Sequence, residues 1–110
     1  MIRVTIYKTQ RHEYTGFDVS GHAEYAEGGQ DIVCAAASAL IINAINSIER
    51  FTDDKISCVS DEETGEIVFR FDSHPSHDAR ILLDSMILGL EEIEDSREYE
   101  AYIDVIFKEV

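Results

Sequence analysis

From Ile2 to Tyr7 apolar and polar residues alternate, with Ile2, Val4 and Ile6 on one side and Arg3, Thr5 and Tyr7 on the other. That two-residue period is the mark of a half-buried strand. Lys8 to Glu13 is polar and turn-like, and a second strand is predicted from Tyr14 to Ser20, with Phe17 and Val19 inward and Gly16 a candidate bulge position. The two strands should pair as a hairpin. Ser20 to Gln30 carries three glycines and no steady period, so it reads as a loop. Asp31 then suits a helix N-cap, its carboxylate accepting from an orphan backbone N–H at the positive end of the helix dipole. The helix should run to about Phe51, apolar on nearly every side except a thin stripe at Asn43, Asn46, Ser47 and Arg50. Such a helix needs cover on more than one side, from a sheet and from a second helix or a partner subunit.

The remaining pattern is short strand, turn, strand, helix, strand. Ile56 to Val59 and Glu66 to Phe71 flank the turn Asp61-Glu62-Glu63-Thr64-Gly65. Ser73-His74-Pro75-Ser76 opens a second helix, proline being tolerated in a first turn. Ala79, Leu83, Met86, Leu90 and Ile93 form that helix's core stripe. Gly89 within it costs about 1 kcal/mol against alanine and points to close packing. Tyr99, Ala101, Ile103, Val105 and Phe107 then alternate with polar neighbours as a last strand. The order β-β-α-β-β-α-β predicts one α+β domain over residues 1–110, a mostly antiparallel sheet with two packed helices.

Composition narrows the function classes. Of 110 residues 45% are hydrophobic and 29% charged, the balance of a soluble globular protein. The most apolar window, Ile32 to Ile48, is interrupted by Ser38, Asn43, Asn46 and Ser47, which argues against a membrane span. The N-terminus enters a strand without a signal-peptide core, giving a cytoplasmic expectation. Nine basic against 23 acidic residues leave a net charge of −14, which argues against a nucleic-acid partner and either attracts basic partners or serves solubility alone. Two cysteines, Cys34 and Cys58, are too few for a disulfide framework or a zinc motif, and both should be free thiols.

Chemistry concentrates in one stretch. Cys34 falls three residues after the predicted cap, where first-turn N–H groups and the dipole favour the reactive thiolate. A small thiol filling space in an alanine-rich helix is the other reading, and spacing alone favours it. His22, in a glycine-flanked loop upstream, can fold back as general base; a solvent-exposed loop histidine is equally compatible with its context. Asp31 and Ser38 share a helix face with Cys34, so Asp31 can orient His22 or simply cap the helix, and Ser38 can support the site or simply pack. Gly21, Gly28 and Gly29 suit either loop hinges or plain turns. His74 and His77 have a metal-compatible spacing but lack accompanying ligands, and Cys58 reads as a core residue.

The run Gly21-His22-Ala23-Glu24-Tyr25-Ala26, followed by Gly29-Gln30-Asp31-Ile32-Val33-Cys34-Ala35-Ala36-Ala37-Ser38-Ala39-Leu40, resembles the signature of the ribosomal-processing cysteine protease family, Prp. Chain length and element order match over essentially the whole domain, and one departure, Ala37 in place of the more usual valine, touches packing alone. The resemblance implies a cytoplasmic, homodimeric, metal- and cofactor-independent enzyme. It implies removal of a short N-terminal extension, ending in an apolar, aromatic-containing segment, from a large-subunit ribosomal protein. It assigns Cys34 as nucleophile and His22 as base, with a glycine-bearing loop gating the site. First-turn N–H groups near Cys34 would then supply an oxyanion hole, and the −14 charge would suit a basic precursor. Two competing readings are a non-enzymatic acidic adaptor that holds a basic ribosomal protein, and a metal-dependent hydrolase using His22, Cys34 and His74 or His77.

Overall fold

The computed structural model describes residues 1–21 and 28–110, with 28–30 described as backbone only. Strands β1 (Ile2–Lys8) and β2 (Tyr14–Ser20) precede helix α1 (Gly28–Phe51). Strands β3 (Ile56–Ser60) and β4 (Ile67–Phe71) then lead to helix α2 (His77–Glu94), and a one-turn 3-10 helix at Glu100–Tyr102 precedes β5 (Ile103–Glu109). The sheet order is β3-β4-β2-β1-β5. Three of its neighbour pairs are antiparallel, and β5 runs parallel to β1, in register from Ile2↔Ile103 to Lys8↔Glu109. The predicted β1–β2 hairpin is present. Between the Tyr7↔Gly16 and Lys8↔Tyr14 pairs one residue of β2 is skipped, which puts the bulge beside Gly16.

Alternation along the strands gives the sheet one apolar face. Ile2, Val4, Ile6, Phe17, Val19 and Phe69 are buried there, and Phe17 stacks on Phe69 across the β2–β4 pair with ring centroids 4.8 Å apart. On α1 the buried positions Val33, Ala37, Ile41, Ala44, Ile45 and Ile48 form one helical stripe, met on α2 by Ala79, Leu83, Met86, Ile87 and Leu90. Each fully buried branched side chain contributes about 1.5–3 kcal/mol. A Cβ at Gly89 would lie 2.9 Å from Leu40 Cδ1, so this glycine does mark the close crossing of α1 and α2. By length and composition Asp31–Phe51 would pass as a membrane span, contrary to the expectation drawn from its interrupting polar residues. One stripe of it packs on the sheet and α2, while Ile32, Ile42 and Phe51 remain exposed, so the cover expected on more than one side is incomplete within this chain.

Four local expectations are corrected. Helix α1 begins at Gly28, not Asp31, so Gly28 and Gly29 lie in its first turn rather than in a loop, and Asp31 sits inside that turn rather than capping it. Ser76 is the N-cap of α2, its Oγ accepting from the Ala79 N–H at 3.2 Å, which leaves Pro75 before the helix. Residues Glu100–Tyr102 coil into a 3-10 turn, leaving Ala101 exposed, and the final strand starts only at Ile103. Cys58 is exposed, because β3 is an edge strand that the helices do not cover.

Candidate active site

At Ser38 and Ile42, helix α1 passes the end of the sheet where β2 finishes and the β3–β4 turn closes. Gly21 ends the described part of the chain before the helix. Its φ is +87°, and a Cβ there would lie 2.0 Å from the Met1 carbonyl oxygen, so backbone geometry alone demands glycine. His22 lies outside the described residues. The described part of the candidate site is α1 and the strand ends around it.

On α1, Asp31 is exposed, Cys34 half-buried and packed on the core cluster, and Ser38 half-buried one turn further on. Their spacing of three and four residues stacks them on one flank of the helix, together with Ile42. That flank faces the β3–β4 turn, since Ser38 and Ile42 line a cavity of about 350 Å3 with Asp61, Glu62, Glu66 and Ile67. With the helix starting at Gly28, Cys34 belongs to the second turn. Free N–H donors are confined to about the first four residues of a helix. The Cys34 amide is thus part of the helical ladder, and the dipole's influence has already fallen off by that point. The expectation that first-turn donors lie beside Cys34 does not survive this shift.

The other thiol is placed very differently. Cys58 lies on the edge strand β3, where partial burial, and secondarily the Glu49 carboxylate, push its thiol above the ordinary value. His74 and His77 are exposed and engaged by carboxylates, His74 Nδ1 lying 2.8 Å from Glu13 and His77 Nδ1 3.2 Å from Asp78. His74 precedes α2 and His77 opens it, and between them the Ser76 N–H donates to Asp54, just beyond the far end of α1. Cys34 and Phe51 are separated by 17 helical residues, or about 25 Å. A metal site joining Cys34 to His74 or His77 is thereby contradicted, and among the described residues no group of three or more candidate ligands converges. In the acidic wall, Asp61 and Glu62 were legible only as turn chemistry and Glu66 only as the start of a strand. Its position opposite Ser38 is a tertiary fact.

A model of the Prp cysteine protease family matches residues 1–104. The chain belongs to this family. It is 33% identical over 104 residues to the ribosomal processing cysteine protease Prp of Bacillus subtilis, covering 91% of each chain. The Staphylococcus aureus Prp is 32% identical over 108 residues, covering 98% of this chain and 100% of that one. Among solved structures, an essential ribosomal processing protease Prp from S. aureus in complex with a substrate peptide superposes with a TM-score of 0.90 at 30% identity. It covers 98% of this chain and all of that one. The same protease with a covalently linked product peptide gives a TM-score of 0.87 at 31% identity, again over 98% of this chain. This Prp-family chain is a cysteine protease of the ribosomal-processing type. That agrees with the activity the resemblance implied and favours the protease over the competing non-enzymatic adaptor.

Proposed function

We propose that this chain removes the N-terminal extension of a bacterial large-subunit ribosomal protein, with Cys34 as nucleophile and His22 as general base. The observation that carries the assignment is the contrast between its two thiols. Cys34 lies half-buried on the flank of α1 that opens onto a cavity and within the stretch that carries the family signature, whereas Cys58 lies outside that stretch, on the edge strand β3 whose last residue, Ser60, borders the same cavity. In this reading Cys34 Sγ attacks the scissile carbonyl and displaces the amine of the mature protein, leaving the extension as a thioester that water then hydrolyses. His22 takes the thiol proton, delivers it to the departing amine, and next accepts a proton from the attacking water. Asp31 and Ser38 share the Cys34 flank, the place from which they would orient the peptide or the base. Gly21 would set the direction in which the chain leaves β2 toward His22.

The reading includes a cytoplasmic homodimer acting without metal or cofactor on a basic protein precursor. The charge of −14 supports a basic substrate over nucleic acid. The exposure of Ile81 and Leu88 on α2, 52% and 59%, supports an apolar contact with a second subunit. The test is incubation with a ribosomal protein precursor followed by intact-mass measurement. Loss of one N-terminal segment, abolished by His22→Ala, is the expected result. An uncleaved precursor held in a stable complex would replace the protease reading with the adaptor.

A further inference from the structure

The cavity beside Ser38 combines two chemistries. Ile42 and Ile67 give it an apolar floor, and Asp61, Glu62 and Glu66 from the β3–β4 turn give it an acidic rim. Asp61 is partly committed to the turn, its Oδ1 accepting from the backbone N–H groups of Glu63 at 2.9 Å and Thr64 at 3.4 Å. Glu62 and Glu66 are exposed, and among the described residues neither forms an ion pair. An apolar trough ending in carboxylates matches the two halves of a lysine or arginine side chain, whose methylene stem covers apolar surface while its head stays polar. Position supplies the link to the reaction. Ser38 follows Cys34 by four residues, about 6 Å along the helix axis. An extended peptide advances about 3.3 Å per residue, so this is roughly two residues of a bound substrate.

We infer that this cavity is a specificity subsite that receives a lysine or arginine side chain of the substrate lying within about three residues of the scissile bond. Glu62 and Glu66 are its charge-reading residues, Ile42 and Ile67 its floor. The inference rests on Cys34 being the nucleophile, because that assignment places the scissile bond beside the cavity.

The test pairs two proteins with two substrates. The wild-type enzyme and the Glu62→Gln/Glu66→Gln double variant are assayed on the ribosomal protein precursor. Both are also assayed on a precursor in which every lysine and arginine within four residues of the cleavage point is glutamine. Both variant positions are exposed turn residues, and circular dichroism melts check that the fold is retained. On the unaltered precursor the double variant should raise KM about fivefold with kcat within twofold, the size expected of two partly exposed charge pairs. The difference should shrink in 0.5 M salt, where the Debye length is only a few ångströms. On the neutralised precursor the two enzymes should have equal KM. An unchanged KM on the unaltered precursor, or the same loss on both precursors, overturns the inference. Titrating both precursors onto Cys34→Ala protein, with and without the glutamine pair, reads the same contrast as Kd. A wild-type enzyme that cleaves neither precursor refutes the protease reading, while the Kd contrast still decides for or against the cationic subsite.

Discussion

Replacing Gly21 by alanine introduces two separate penalties, both readable from the backbone. The φ of +87° puts an L-residue in the left-handed region, which costs about 1–2 kcal/mol. The new Cβ would lie 2.0 Å from the Met1 carbonyl oxygen. Carbon–oxygen contacts normally stop at about 3.3 Å, so something must move by more than an ångström. The obstructing atom belongs to backbone at the start of β1, next to the buried Ile2, and cannot swing aside as a side-chain tip would. The two effects together should destabilise the fold by about 2–4 kcal/mol. For a domain near 100 residues that lowers Tm by roughly 10 °C or more. Gly29→Ala is the internal control. It falls in the first turn of α1, where alanine is the better helix former, and should leave stability equal or slightly higher. Thermal melts followed by circular dichroism on both variants give the comparison. A Gly21→Ala protein melting within about 2 °C of wild type would refute the reasoning, since one unit of stability already moves Tm further than that.

Two further outcomes follow from particular side chains. Burial acts to raise the Asp18 carboxyl, but hydrogen bonds from Arg70 at 2.8 Å and Tyr7 at 2.8 Å, with the guanidinium charge, outweigh it and hold the group below its usual range. A depressed carboxylate stabilises the fold above its unfolded value near 4, and that contribution is lost as pH falls through the folded value. Urea melts should therefore show Asp18→Asn less stable at pH 7 and less sensitive to acid below about pH 4; parallel curves for the two proteins would contradict the network. Peptide-mapped alkylation with iodoacetamide at pH 7 should modify Cys34 at least about tenfold faster than Cys58. Cys58 is the more exposed thiol, so that ranking cannot arise from access, and equal slow rates would argue against an activated Cys34.

The fold was legible wherever one period governed a whole element. The alternation at Ile2, Val4 and Ile6 and the stripe from Ala79 to Leu90 both reappear as buried faces. Tyr14–Ser20 has the predicted bounds because polar turn residues flank an apolar alternation. Legibility failed where local pattern and tertiary position diverge. Gly28 and Gly29 look like loop residues, yet they extend α1 backwards by three residues, which puts Asp31 inside the first turn instead of at the cap and Cys34 in the second turn. Tyr99 to Tyr102 alternates well enough for a strand but coils into a 3-10 turn, with β5 beginning only where Ile103 pairs with Ile2. Cys58 alternates onto the core face opposite Phe69, but an edge strand leaves it uncovered. For the site, the residues sharing a face with Cys34 followed from helical spacing. The acidic wall across from Ser38 could not, because it joins segments more than twenty positions apart.

The central claim is that Cys34 Sγ forms the acyl-enzyme. Cys34→Ala removes the nucleophile while replacing a half-buried side chain by a small one in an alanine-rich helix, so the protein should stay folded by circular dichroism. Its kcat/KM on the ribosomal protein precursor should fall by about three orders of magnitude or more, as expected when a covalent catalyst loses its attacking atom. Cleavage at the wild-type rate by the folded Cys34→Ala protein would contradict the account.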